Sequence, residues 1–335
     1  MKIDRYELEQ QLTKNIETTA YRAFDPRLKR EVLIKLFTAA ENNNNNFQVE
    51  AKSLTTLNHP SIIKIYDFGI SNDDVPYLVT EYIQGINLAQ LLERNGLFPE
   101  SVILAIGLEV SSALAHAHAH SIIHRSINPQ NILLERGRLV ITDFSTALCA
   151  ANTDIISRSN DTKPKTNKIS GFLSPEQLAK HKIDSRADIF SVGTLLYFLA
   201  TNNLPYRISE TINLFQQFIN HKPEALRTLR PEFCRDLTSL IHRALEPKPE
   251  NRPQKATLLK QALQRLLEYR KFTDAREILA LYEKNPSLTQ LHLSNHSRDD
   301  YEDEDDNLKP PKYGPLFLLI AIALLIVTAL FFGYC

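Results

Sequence analysis

The sequence predicts an α+β protein: a small strand-rich part feeding a larger helical part, closed by an apolar segment. Three observations carry this. Period-two runs fall within residues 1–84, helical periods with caps fill 85–268, and residues 314–335 carry no charge. At 335 residues the chain is long enough for two domains and a full core without disulfides or metals.

The elements follow in order. Tyr6-Glu-Leu8-Glu-Gln10-Gln-Leu12 and Val32-Leu33-Ile34-Lys35-Leu36 alternate as half-buried strands do. A helix is expected over Phe47–Leu57, after a loop of asparagines, Asn42–Asn46. Asn87 reads as an N-cap and Gly96 as the residue that stops the same helix. Ser101–His120 and Asp188–Thr201 are apolar on most sides and so buried; Pro231–Leu245 and Lys255–Tyr269 follow. Residues 269–313 read as a helical extension and then, from about 286, an acidic linker. That linker holds Asp299, Asp300, Glu302, Asp303, Glu304, Asp305 and Asp306 before Pro310-Pro311, a solvated, disordered spacer by composition. As a helix, Gly314–Tyr334 spans about 31 Å, the thickness of a bilayer core. It is read as a single-pass membrane anchor, with Lys309 and Lys312 marking a cytoplasmic N-terminal side.

Composition narrows the function classes. Thirty-nine Lys+Arg balance thirty-nine Asp+Glu, so no field favours nucleic acid. Cys149, Cys234 and Cys335 are far apart, which excludes a disulfide framework and a cysteine zinc site. MKIDRYELEQ has no apolar core, so no signal peptide is expected. His116, His118 and His120 alternate along a helix and face different ways, so no metal set is expected there. Nine glycines is under half the usual ~7%, and none precedes Gly69.

A series of motifs carries the chemistry. His124-Arg125-Ser126-Ile127-Asn128-Pro129-Gln130-Asn131 is followed by Thr142-Asp143-Phe144-Ser145. Then come Ser174-Pro175-Glu176-Gln177, Asp184 to Gly193, and Asn251-Arg252-Pro253; upstream sit Val32-Leu33-Ile34-Lys35 and Glu50. In this order and spacing, over about residues 6–268, the chain resembles the protein kinases, most nearly the bacterial, eukaryotic-like Ser/Thr kinases.

The resemblance implies a two-lobed fold, with an N-lobe over 1–84 and a C-lobe over 85–268, and it implies roles. Lys35 matches the lysine that contacts ATP phosphates, and Glu50 its helix partner. Asn131 and Asp143 match the Mg²⁺ ligands. Ala20, Leu33 and Glu81 fall in the nucleotide-binding set; Leu33 stands for a small alanine and Ala20 for a valine, which either repacks the adenine pocket or fills it. Glu176 and Arg252 match the pair that ties the activation segment to the lower lobe. Asp188 matches the buried brace of the catalytic loop, and His124 and Arg125 the loop's structural His and regulatory Arg.

The departures are equally local. Ser126 replaces the catalytic Asp, and a hydroxyl has no useful basicity at pH 7; such a loss costs on the order of 10²–10⁴-fold. Asn128 replaces the lysine that helps neutralise the transferring phosphate, and Ser145 the glycine after Asp143-Phe144. Thr13, Asn15 and Thr18 occupy the three positions of the glycine-rich loop, and Glu17 adds a negative charge there. The resulting expectation is a membrane-anchored pseudokinase with a cytoplasmic kinase-like domain. It keeps weak binding of ATP and Mg²⁺ at most and meets cytosolic signalling proteins or other kinases. The alternative is a slow or unconventional Ser/Thr kinase.

Overall fold

Alternating sequence builds the first lobe. Six strands, β1 (Lys2–Ile3), β2 (Tyr6–Lys14), β3 (Thr18–Asp25), β4 (Arg30–Phe37), β5 (Ile65–Ile70) and β6 (Pro76–Glu81), pair antiparallel in the order β1-β2-β3-β4-β6-β5. The computed structural model describes residues 2–14, 18–37, 51–144, 168–206, 218, 221–271 and 274–286, all within the unit Met1–Leu293. Glu50, Asn42–Asn46, Asn15, Glu17, Ser145, Cys149, Cys335, the acidic run and the segment read as an anchor lie outside the described residues.

Register sorts the sheet's two faces. Val32 and Ile34 turn to one side, where Ile3, Tyr6, Ala23, Tyr77 and Val79 complete a small core. Leu33, Lys35 and Phe37 share the other face: Ala20 and Leu78 flank Lys35, while Arg22 and Thr80 flank Leu33. The alternation of β2 is weaker evidence of burial than it reads. Only Tyr6 is buried, Leu12 stands 37% exposed, and the register slips between Leu8 and Gln10 and between Gln11 and Thr13.

The second part is helical around one core. A small sheet of β7 (Ile86–Asn87), β8 (Ile132–Glu135) and β9 (Arg138–Ile141) lies against α1 (Leu88–Asn95) and α2 (Glu100–Ala119). Asn87 caps α1 through a capping box with Gln90, and Gly96 ends it at φ 77°. Helix α2 is long and apolar enough to cross a membrane. Here it is a core helix, with Val102 to Ile106 wholly buried. α3 (Pro175–Leu178), α4 (Arg186–Thr201), α5 (Leu226–Leu229), α6 (Arg235–Ala244) and α7 (Ala256–Tyr269) follow.

Helix α6 begins four residues later than the expected Pro231. Phe233 turns inward at 1% exposure, and the Cys234 N–H donates to Glu100 Oε1 at 2.8 Å instead of entering the helix. A last helix, α8 (Ala275–Lys284), buries Ala275, Ile278, Leu279 and Tyr282 against α2 and β9, and Tyr282 meets Phe98 with ring centroids 5.1 Å apart.

Candidate functional site

A buried carboxylate organises the catalytic loop. Asp188, in the first turn of α4, is wholly buried. Its Oδ1 accepts the Arg125 N–H at 2.7 Å, and Oδ2 accepts the His124 N–H at 2.9 Å and meets His118 Nε2 at 2.8 Å. Burial pushes its pKa up; the His118 hydrogen bond, the charges of His118 and His124 and the Arg125 N–H outweigh burial and hold it below the usual range. Arg125 is left-handed, φ 68°, a conformation that costs a non-glycine residue roughly 1–2 kcal/mol. Asp188 holds its N–H, and Gln177 Nε2 donates to its carbonyl at 2.8 Å.

His124 fills the space behind the loop. Its Nε2 donates to the Thr142 carbonyl at 2.9 Å, and Nδ1 accepts the Ser126 N–H at 3.2 Å. The ring stands edge-on to Phe144; both its nitrogens are taken up by backbone groups, and burial lowers its pKa. Of the alternating histidines, His118 goes to Asp188, whereas His116, whose Nε2 accepts the Asn58 N–H, and His120, which bonds the His116 carbonyl, keep their rings 4.6 Å apart between centroids. Among the described residues no group of side chains has the makings of a metal site of histidine, cysteine and carboxylate ligands.

The loop's reacting end carries no carboxylate. Residues 124–131 contain no Asp or Glu. Ser126 is half-buried; its carbonyl accepts Asn131 Nδ2 at 2.9 Å and Asn128 Nδ2 at 3.0 Å, and its Oγ lies 3.3 Å from Asn131 Nδ2. Asn128 is 3% exposed, and its Oδ1 caps the short turn Pro129–Asn131 by accepting the Gln130 N–H. Its amide serves the loop, where a lysine would bring charge to a phosphate.

Lys35 and Asp143 meet across the cleft. Lys35 Nζ of β4 lies 2.6 Å from Asp143 Oδ1, with both side chains partly exposed. Asp143 is left-handed at φ 61°, and the segment before it is pinned: the Asn131 carbonyl accepts the Thr142 N–H at 2.8 Å and hydroxyl at 3.1 Å. A carboxylate and a cation therefore face each other across one cleft, with the Asn131 backbone tied to the residue before that carboxylate. That donor set fits Mg²⁺ and a phosphate chain. Ala20 and Leu33 are half-buried on the Lys35 face, and Thr13 is exposed opposite Ala20.

Glu81 is engaged elsewhere. Its carboxylate receives a bidentate Arg138 at 2.8 and 2.9 Å and the Lys64 N–H at 2.8 Å. Arg138 was not legible beforehand, since a lone arginine beside a strand has no motif. Gln177 was, because Ser174-Pro-Glu-Gln177 has the spacing of a capping box, and that box forms. Glu176 and Arg252 pair as expected, bidentate at 2.7 and 2.9 Å. Arg252 is wholly buried, and carbonyls of Glu246, Arg186 and Pro247 take its other N–H groups.

Two lobes, a loop braced from a buried helix aspartate and a lysine facing an aspartate across the cleft define a protein of the kinase class. A family model for the protein kinase domain matches residues 6–265. The chain is 33% identical over 264 residues to a probable serine/threonine-protein kinase of Streptomyces coelicolor, covering 75% of this chain and 38% of that protein. It is 32% identical over 244 residues to PrkC of Bacillus subtilis, covering 70% and 36%, and 29% identical over 296 residues to PknB of Mycolicibacterium smegmatis, covering 85% and 46%. The solved structure of Rad53 with AMP-PNP superposes with a TM-score of 0.64 at 21% identity, over 77% of this chain and 64% of that one, a likeness of fold. The chain belongs to the protein kinase family, and it spans under half the length of these three curated relatives.

Proposed function

We propose that the chain is a pseudokinase: a membrane-tethered kinase domain that holds Mg²⁺–ATP and signals through its shape rather than by passing on the phosphate. The observation that carries this is Ser126, a hydroxyl on a loop without a carboxylate, beside an Asn128 turned inward as a cap. Phosphoryl transfer needs an acceptor oriented by a carboxylate and a cation on the transferring group. Both positions are changed in one loop.

Part of the holding side is kept: Lys35 and Asp143 face each other across the cleft, although Thr13, Asn15 and Thr18 stand in the positions of the glycine-rich loop. Lys35 would contact phosphates, and the Asn131 and Asp143 oxygens would ligate the metal. When bound, Mg²⁺–ATP would supply phosphate charge for Lys35 and a metal ion for Asp143, the two side chains that pair across the cleft. Partners are cytosolic signalling proteins or other kinases, and the uncharged segment 314–335 is the tether.

The test is restoration. With γ-labelled ATP and a general acceptor protein, Ser126→Asp alone gives no family-level turnover, because Asn128 and the substituted glycine loop remain. Ser126→Asp with Asn128→Lys raises transfer at least about 100-fold over wild type, the lower range for a positioned acid–base group. Wild type transferring label as fast as that double variant refutes the proposal and makes the chain an unconventional kinase, the reading that the retained Lys35, Asn131 and Asp143 favour.

A further inference from the structure

The turn between β8 and β9 joins three elements that the nucleotide residues do not. Gly137 takes φ 78°, and a Cβ added there would lie 2.7 Å from the Ala280 Cβ and 2.8 Å from the Arg276 carbonyl of α8. Its N–H donates to Glu283 Oε2, also on α8, at 2.8 Å. In a chain so poor in glycine, this one sits where backbone must touch backbone.

The next residue reaches the other way. Arg138 grips both oxygens of Glu81 at the end of β6 and donates through Nε to the Pro60 carbonyl at 2.8 Å. Three residues later Ile141 donates its N–H to the Ser61 carbonyl and accepts the Ile63 N–H, each at 2.9 Å, and Asp143 follows at once. A second route runs in parallel: Arg276 of α8 faces Glu109 of α2 at 4.0 Å, and the Ser61 hydroxyl donates to that same glutamate. Glu81 ends β6, where the chain leaves the first sheet for β7 of the second, so Arg138 clips the crossing between the lobes.

We infer that α8 is a positioning element for the nucleotide cleft. Docked on the β8–β9 turn through Gly137 and Glu283, it holds Arg138 on Glu81 and so fixes the separation of Lys35 and Asp143. The inference rests on the proposed nucleotide site and goes beyond it, because α8 packs on α2 and β9 rather than on the strand that carries Lys35. Coupling of this kind is reciprocal: nucleotide in the cleft tightens α8, and a load on α8 alters nucleotide affinity. Helix α8 is the last described element before the acidic and uncharged stretches.

The experiment uses the full chain in detergent micelles. Mg²⁺–ATP affinity is measured by calorimetry for wild type, Glu283→Ala, Glu283→Gln and Arg138→Gln. Inter-lobe distances come from spin labels at Gln10→Cys and Arg265→Cys, with the three native cysteines changed to serine. Glu283→Ala and Arg138→Gln weaken affinity about fivefold or more, the lower range of allosteric coupling, and broaden the distance distribution. Glu283→Gln keeps an acceptor oxygen for the Gly137 N–H and stays within about twofold of wild type.

Lowered melting temperature with unchanged affinity and unchanged distances would overturn the inference and leave α8 as packing alone. If wild type binds no Mg²⁺–ATP, the nucleotide reading falls and the distances decide by themselves: a distribution that Glu283→Ala leaves unaltered overturns the role of α8, and a broadened one sustains it.

Discussion

Single residues separate what this domain keeps from what it has lost. Asp188 takes three donors in a wholly buried site, and its carboxylate has no substitute there. Asp188→Ala leaves those donors buried and unpaired. It should cost roughly 3–5 kcal/mol, the range for breaking a buried pair, in urea unfolding. Titration adds a second expectation. Burial first, and then the charge of His116, pushes His59 down to about 4, and burial lowers His116, His124 and His242 as well. These folded values lie below the unfolded one, so the unfolded chain binds more protons in between, and stability falls as pH drops from about 6.5 toward 4. Asp188, also depressed, adds its loss below about 4. Melting temperature should therefore be flat above pH 7 and clearly lower at pH 5; equal values at pH 5 and 7.5 would contradict this.

At the scale of elements, caps and ties were more legible than their neighbours. Asn87 and Gly96 were readable because an N-cap side chain and a left-handed stop are local chemistry. The start of α6 was not, because Glu100, 134 residues away in sequence, takes the Cys234 N–H. Arg138 escaped notice for the same reason, since its value lies in Glu81 and Pro60, which only the fold brings near. The Glu176–Arg252 tie fixes α3 to the lower lobe with every guanidinium donor occupied. Arg252→Lys cannot reproduce a planar fork. It should lower the melting temperature by several degrees, whereas an exposed exchange such as Arg265→Lys should leave it unchanged. Gly137→Ala adds a methyl group against backbone at a positive φ, and it should loosen α8 before the core, seen as faster amide exchange over 275–284.

Over the whole molecule, family order and spacing made the fold readable, because six motifs in register leave few alternatives. Which side chains face one another was only partly readable. The Asp188 brace and the Glu176–Arg252 pair follow from motif position. The inward turn of Asn128 and the engagement of Glu81 with Arg138 depend on local backbone paths that no motif states. What emerges is a protein kinase fold in which Asp188 and the Glu176–Arg252 pair are buried supports and Lys35 faces Asp143 across the cleft, while the loop 124–131 carries Ser126 and Asn128 and no carboxylate. The measurement that tests this most directly follows label from γ-labelled ATP, with Mg²⁺ and an acceptor protein, for the wild-type full chain beside Asp143→Ala. The account predicts the same background for both, whereas transfer by wild type that Asp143→Ala abolishes would contradict it.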